Sequence, residues 1–261
     1  MDSKITIFFW ILISAVCGKD VRIIGGQDAE RSEFPYLASF RIAATNQHFC
    51  AGAIITTQHI LTAAHCLIHD YVNRVTVHVG AVNATEIGST YTIKQFIVHP
   101  DFTGVSAGNN GLHNDISVVI INGIIQMNTL QQLINLPTRR ITIGENVTLC
   151  GWGLTSYPSE ILPYKIQHTE VKIMDRYECT LYYEFYLAAD QMCTYRENVG
   201  ACIGDSGGPV VRNNEIVGII SFSKPCATMA PDIHTDVFIH KSFILDIFTS
   251  YNELYSHINA M

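Results

Sequence analysis

The sequence predicts an all-β protein closed by one C-terminal helix, and three observations carry that reading. Short β-forming runs recur between turn signals from Gln27 to about Thr138. The same texture repeats from about Arg139 to Phe238. Only after Val237 does an apolar pattern with helical spacing appear.

In the first half the runs are Tyr36 to Arg41, Phe49 to Thr56, Val75 to Gly80 and Ser117 to Ile121. Val75-Thr76-Val77-His78-Val79 alternates as a half-buried strand should, whereas Ile116 to Ile121 is mostly apolar, as an inner strand should be. Thr103 to Gly111, rich in Gly and Asn, reads as a surface loop leading to Asp115. The second half offers Val147 to Cys150, Gln167 to Ile173, Pro209 to Arg212 and Ile216 to Phe222. Ile239, Phe243, Ile244, Ile247, Phe248 and Tyr251 then predict a helix over about 239–252, docked by its apolar face and followed by a frayed tail. There is no internal repeat and no low-complexity segment.

At 261 residues, with 48% hydrophobic and 15% charged, the chain can bury a sizeable core, and an all-β double barrel fills that length as one unit. The net charge of −7, which stays negative without the first 22 residues, argues against nucleic acid or anionic lipid as a partner. Residues 1–18 place Lys4 before the apolar run Ile5 to Val16, with small residues at Cys17-Gly18. That run falls short of the ~20 residues a membrane span needs. It reads as a cleaved signal peptide rather than a short buried helix, so the product is expected to be secreted, soluble and extracellular.

The stretch with the most chemistry is Cys202-Ile203-Gly204-Asp205-Ser206-Gly207-Gly208-Pro209. Its glycines permit a tight turn that leaves the N–H groups of Gly204 and Ser206 free to converge, and two converging donors beside a serine make an oxyanion hole. A glycine-rich hairpin with an incidental serine explains a bare Gly-x-Ser-Gly equally well. The serine gains meaning from its candidate partners, because a free hydroxyl is a poor nucleophile at neutral pH without a base and an orienter. His65 in Leu61-Thr62-Ala63-Ala64-His65-Cys66 and Asp115 in Asn114-Asp115-Ile116 each adjoin an apolar run. The chain order His, Asp, Ser separates this arrangement from other folds that carry the same three residues.

With Arg22-Ile23-Ile24-Gly25-Gly26, Thr62-Ala63-Ala64-His65-Cys66, Asp115-Ile116, Gly151-Trp152-Gly153, Gly204-Asp205-Ser206-Gly207-Gly208-Pro209 and Ser221-Phe222-Ser223, the sequence resembles the chymotrypsin-like (trypsin-fold) serine proteases from Arg22 to about Tyr251. The resemblance implies two antiparallel six-stranded Greek-key barrels, about 23–138 and 139–238, with His65, Asp115 and Ser206 at their seam. It implies nucleophilic attack by Ser206, proton transfer through His65, orientation of His65 by Asp115, and an oxyanion hole from Gly204 and Ser206. It also implies a zymogen. Lys19 to Arg22 form a short propeptide, and cleavage after Arg22 frees an α-amino group on Ile23 to pair with Asp205, which would otherwise be a costly buried charge. Protein or peptide substrates, an activating trypsin-like protease and proteinaceous inhibitors are the partners this implies, for a monomer without cofactor, membrane or nucleic acid.

Eight cysteines in an exported chain suggest a disulfide framework. The resemblance pairs Cys50 with Cys66, Cys179 with Cys193 and Cys202 with Cys226. Cys17 leaves with the signal peptide, and Cys150 is read as a buried free thiol, since the cysteine of many relatives lies a few residues earlier and pairs with the position held here by Arg212. No histidine motif has metal-ligand spacing, and Ala81-Val82-Asn83 stands where calcium-binding relatives carry acidic residues, so no metal is expected. Asn83-Ala84-Thr85 and Asn146-Val147-Thr148 fit the glycan acceptor pattern.

In this family the specificity pocket has its base six residues before the serine, here Gly200, and walls from 221–223 and 231–234. An uncharged base should admit large apolar side chains, but Asp232 brings a carboxylate to the wall, Ser223 replaces a usual glycine and His234 a usual tyrosine. Gly200 with Asp232 is similar to the broad-specificity arthropod chymotrypsins and collagenolytic serine proteases. The reading is therefore cleavage after Phe, Tyr or Leu, with elastase-like or mixed basic cleavage as alternatives. Ser221-Phe222-Ser223 should pair with substrate backbone. Ala51 replaces a usual glycine near the oxyanion hole. A different class, a non-catalytic homologue used for binding, is the remaining alternative.

Overall fold

The computed structural model describes residues 23–68, 72–102, 104, 112–158, 161–224, 226–227 and 229–258, with side chains to Tyr251. The expected signal peptide, the expected propeptide with Arg22 and most of the stretch 103–111 that was read as a loop lie outside the described residues.

Six strands close the first barrel: β2 (Leu37–Ile42), β3 (Gln47–Ile54), β4 (His59–Thr62), β5 (Val75–Val79), β6 (Ser89–Val98) and β7 (Ser117–Ile121). They pair antiparallel in the order β2-β3-β4-β7-β6-β5, with β5 returning to β2. The second barrel contains β8 (Asn146–Gly151), β9 (Gln167–Met174), β10 (Gln191–Tyr195), β11 (Pro209–Arg212), β12 (Glu215–Phe222) and β13 (Asp232–Asp236). It is closed because β8 pairs with both β9 and β11, and the short β1 (Gln27–Asp28) adds to the outer edge of β9. Closure removes the unpaired edges that an open sheet would expose.

β7 is buried at every residue, as an inner strand should be. β5 departs from the expected half-burial: its outward-facing His78 is buried because the chain returns across that face, and Ile87 offers its carbonyl to His78 Nδ1 at 2.9 Å. The helical stretches are the short α1 (Arg176–Thr180), a 3-10 turn at Ala64–Cys66 and the C-terminal α2 (Lys241–Ile258). The C-terminal helix starts later and runs further than the spacing predicts. Asp236 holds residues 238–240 in a turn by accepting from Phe238 N–H and from the His240 ring, and Leu254, Tyr255 and Ile258 continue the helical period. Phe248 and Tyr251 pack against His59 of the first barrel, each with ring centroids 5.0 Å away. No helix among the described residues is long and apolar enough to cross a membrane.

Three disulfides form, Cys50–Cys66, Cys179–Cys193 and Cys202–Cys226, as the resemblance implied. Cys150 is free and fully buried, and burial pushes its thiol well above the ordinary value. Arg212 on β11 reaches Glu145, just ahead of β8, and Glu215 on β12. A thiol titration of the denatured chain, freed of residues 1–22, should therefore count one thiol; a count of zero would mean a bridge that this arrangement does not contain.

Candidate active site

The 3-10 turn presents His65 directly after β4, and Asp115 precedes β7, the strand that pairs with β4. Neighbouring strands thus deliver both side chains to one rim of the first barrel. Asp115 is fully buried and grips His65 twice: Oδ1 accepts the backbone N–H at 2.9 Å and Oδ2 accepts from Nδ1 at 2.7 Å. That grip fixes the ring so that Nε2 faces away from Asp115. Burial pulls the imidazole pKa down, but the charge and hydrogen bond of Asp115 outweigh it and the net shift is upward. A raised pKa is what a group needs to take a proton and hold it briefly.

Asp115 is also held from the second barrel. Ser221 at the end of β12 donates its hydroxyl to Oδ2 at 2.5 Å, and Thr235 on β13 donates to the Asp115 carbonyl at 2.9 Å. Sequence reasoning assigned Ser221 only to substrate binding and missed Thr235, for neither residue lies in a motif with Asp115.

The Ser206 turn meets this rim across the interface. Ala51 N–H donates to the Ser206 carbonyl at 2.8 Å. Cys66 Sγ lies 3.9 Å from His65 Nε2 and 3.7 Å from the same Ser206 oxygen, so the imidazole and the serine flank one disulfide. Two glycines are required. Gly204 has φ +101°, and Gly207 has φ +79° with room for no Cβ, since one would sit 2.2 Å from Thr62 Oγ1 and 2.4 Å from the Ala51 carbonyl. Within the turn, the N–H groups of Asp205, Gly207 and Gly208 are used by Cys202, Ile220 and Asp205 carbonyls. Among the described residues those of Gly204 and Ser206 donate to nothing, which leaves a pair of donors for a developing oxyanion. The Gly204 carbonyl is pinned by His48 Nε2 at 2.9 Å, and His48 in turn is bonded to Ser39. Ala51, fully buried, turns its Cβ toward Gly208.

Asp205 is fully buried and accepts N–H bonds from Gly153 at 2.7 Å and Cys202 at 3.0 Å, while no cation among the described residues pairs with it. Burial pushes its pKa up to about 6. Ile23 is also fully buried, and Gly200 N–H donates to the Ile24 carbonyl at 3.2 Å, so the expected activation segment and the expected pocket base share one hydrogen bond.

At the pocket base, a Cβ on Gly200 would fall 2.6 Å from Asp232 Oδ2, which places the carboxyl directly against the floor. Asp232 is held by Ala201 N–H at 2.8 Å and by the Ser223 side chain, and burial pushes its pKa to about 7. His234, pulled to about 3 by burial, bonds Thr194 at 2.7 Å and brings no positive charge to offset Asp232. Phe222 forms an aromatic cluster with Tyr183 and Phe185, and the Tyr183 hydroxyl donates to the Pro231 carbonyl. One grouping of metal-type ligands exists among the described residues, Cys50, His65 and Cys66, and two of its members are joined in a disulfide.

Two closed barrels with a serine turn, an aspartate-held imidazole and free backbone donors at their interface define a serine hydrolase of peptide bonds. The chain belongs to the trypsin family of serine proteases, whose family model matches residues 23–244. It is 35% identical over 218 residues to Chymotrypsin-2 of Vespa crabro, covering 83% of this chain and 95% of that protein. It is 32% identical over 231 residues to Trypsin I-P1 of Gallus gallus, covering 86% and 88%. In fold it is similar to mouse neuropsin, with a TM-score of 0.78 at 23% identity over 85% of this chain and 98% of that one.

Proposed function

We propose that the chain is made for export as a zymogen and, once cleaved after Arg22, hydrolyses peptide bonds through an acyl-enzyme. Ser206 attacks the carbonyl, His65 takes the proton and returns it to the leaving amine, Asp115 holds His65 in the productive tautomer, and the N–H groups of Gly204 and Ser206 receive the oxyanion. The observation that carries this is the double grip of Asp115 on His65 next to two unused backbone donors flanking a serine. A fluorophosphonate probe should label Ser206 after tryptic activation. No labelling would favour a binding module with a silent site.

The substrate side chain preferred at the cleavage point is large and apolar or aromatic, Phe, Tyr or Leu, because the base is Gly200 and the carboxyl of Asp232 has its own internal donors. The facing of Asp232 toward Gly200 also favours a second reading, mixed acceptance of Lys and Arg as pH rises. Below about pH 7 the acid is protonated and the floor is neutral; above it the floor is anionic. The ratio of kcat/KM for Arg over Phe substrates should climb about tenfold between pH 6 and 8, tracking the ionised fraction. Asp232→Asn should abolish that rise while retaining cleavage after Phe, and a pH-independent ratio in the unaltered enzyme would remove Asp232 from specificity.

A further inference from the structure

Asn114, the residue before Asp115, is restrained on every side. Its backbone is left-handed at φ +52°. Its N–H donates to Asp190 Oδ2 at 2.6 Å, its Nδ2 donates to the Asp101 carbonyl at 3.0 Å, and its Oδ1 meets His240 Nε2 at 3.1 Å. Its carbonyl accepts from Ile116 N–H at 2.8 Å, which places Asp115 at the apex of a tight turn. Asp190 stands just ahead of β10 and His240 just ahead of α2, so elements following the first barrel clamp a residue that belongs to it.

The donor count at His240 is informative. The amide orientation of Asn114 is fixed by Asp101, whose carbonyl can only accept, so Oδ1 faces His240 Nε2 as an acceptor. The other ring nitrogen, Nδ1, faces the Asp236 carbonyl at 3.0 Å, again an acceptor. Both bonds form together only when both ring nitrogens carry protons. The neighbouring ring, His99, is in the opposite condition: its Nδ1 accepts from Asp101 N–H at 3.2 Å, and burial, then the proximity of His240, hold its pKa below the ordinary value. The two rings meet edge to face with centroids 5.1 Å apart.

We propose that Asn114, Asp190 and His240 form a positioning clamp that sets the angle of Asp115. The reading rests on Asp115 acting as the orienter of His65. The charged and titratable groups around the clamp are Asp101 and His99 beyond the end of β6, His113 beside Asp190 at 3.7 Å, Asp236 paired with Arg140 at 2.8 Å, and Lys241 at the start of α2. None of the three clamp residues touches the reacting atoms; each acts through the backbone of Asp115.

The clean variant is Asn114→Gly, since glycine accepts the left-handed backbone and removes only the side-chain ties. In the activated enzyme it should lower kcat about 10- to 100-fold, the penalty of a small misplacement, with KM within about twofold. Because Asp115 is what raises the His65 pKa, a looser Asp115 raises it less, and the acid limb of kcat/KM should move to lower pH. His240→Phe should act in the same direction. Unchanged kcat and acid limb in folded Asn114→Gly overturns the clamp. Asp115→Asn run alongside separates the two ideas: its full activity would sink the role of Asp115 itself, whereas its collapse with Asn114→Gly unaffected sinks only the clamp.

Discussion

Ser206→Ala is expected to lower kcat of the activated enzyme by about 10⁶-fold, the scale on which removing the nucleophile from such a unit acts. The turn that carries Ser206 is fitted to the rim by Gly207, where even a Cβ would collide with Thr62 and Ala51. Folding should be unaffected, for the contact anchoring the turn is made by the Ser206 carbonyl and not by its side chain. His65→Ala should cost nearly as much, and the double variant little more, since the two residues act on one proton. Steady-state kinetics on a Phe-containing peptide substrate, with a thermal melt as control, checks this. Residual activity within tenfold of the unaltered enzyme would remove Ser206 from the chemistry.

The second large effect concerns activation. Asp205 lies buried between the serine turn and the Gly151-Trp152-Gly153 segment with two N–H donors and no cation from the described residues. Its pKa rises from an ordinary 3.8 to about 6. For a group raised in this way the stabilising contribution is full below the ordinary value and is lost as pH climbs through the folded one. In the uncleaved chain this amounts to about 3 kcal/mol lost between roughly pH 4 and 7. Cleavage after Arg22 would supply the Ile23 ammonium as a partner and reverse that loss. Arg22→Gln, which blocks the cut, should therefore leave activity about 10²- to 10³-fold below the activated enzyme, the cost of a misplaced oxyanion donor. It should also leave a protein whose denaturation midpoint falls as pH rises through 6, and Asp205→Asn in that background should flatten the fall. In the cleaved enzyme an Ile23–Asp205 pair would raise the amine pKa, so activity is expected to hold at neutral pH and to decline only as the amine deprotonates. Full activity of the uncleaved Arg22→Gln protein would end the switch.

How far the chain could be read in advance depended on whether a segment's role is encoded locally. Strands β3, β7, β8, β11 and β12 were legible because each buries a run of apolar residues. Strands β10 and β13 were not, although every residue of β13 is buried, for they bury Thr194, Asp232, His234, Thr235 and Asp236, polar side chains with partners far off in the chain. β6 escaped notice because only Ile93 in it is buried and its polar residues break the period.

The same division holds at the site. The sequence by itself determined a glycine-rich turn around Ser206 with His65 and Asp115 beside apolar runs, since each sits in a short motif that answers to a local backbone need, while the three disulfide pairs came from the family resemblance, because cysteine spacing does not encode connectivity. Tertiary structure alone decided that Ser221 and Thr235 hold Asp115, that Asn114 is clamped by Asp190 and His240, and that the Asp232 carboxyl lies against Gly200. The hydrogen bonds among those contacts join residues 76 to 126 positions apart. A hydrogen bond has no period along the chain, so nothing in the order of residues announces which donor will meet which acceptor once two barrels close against each other.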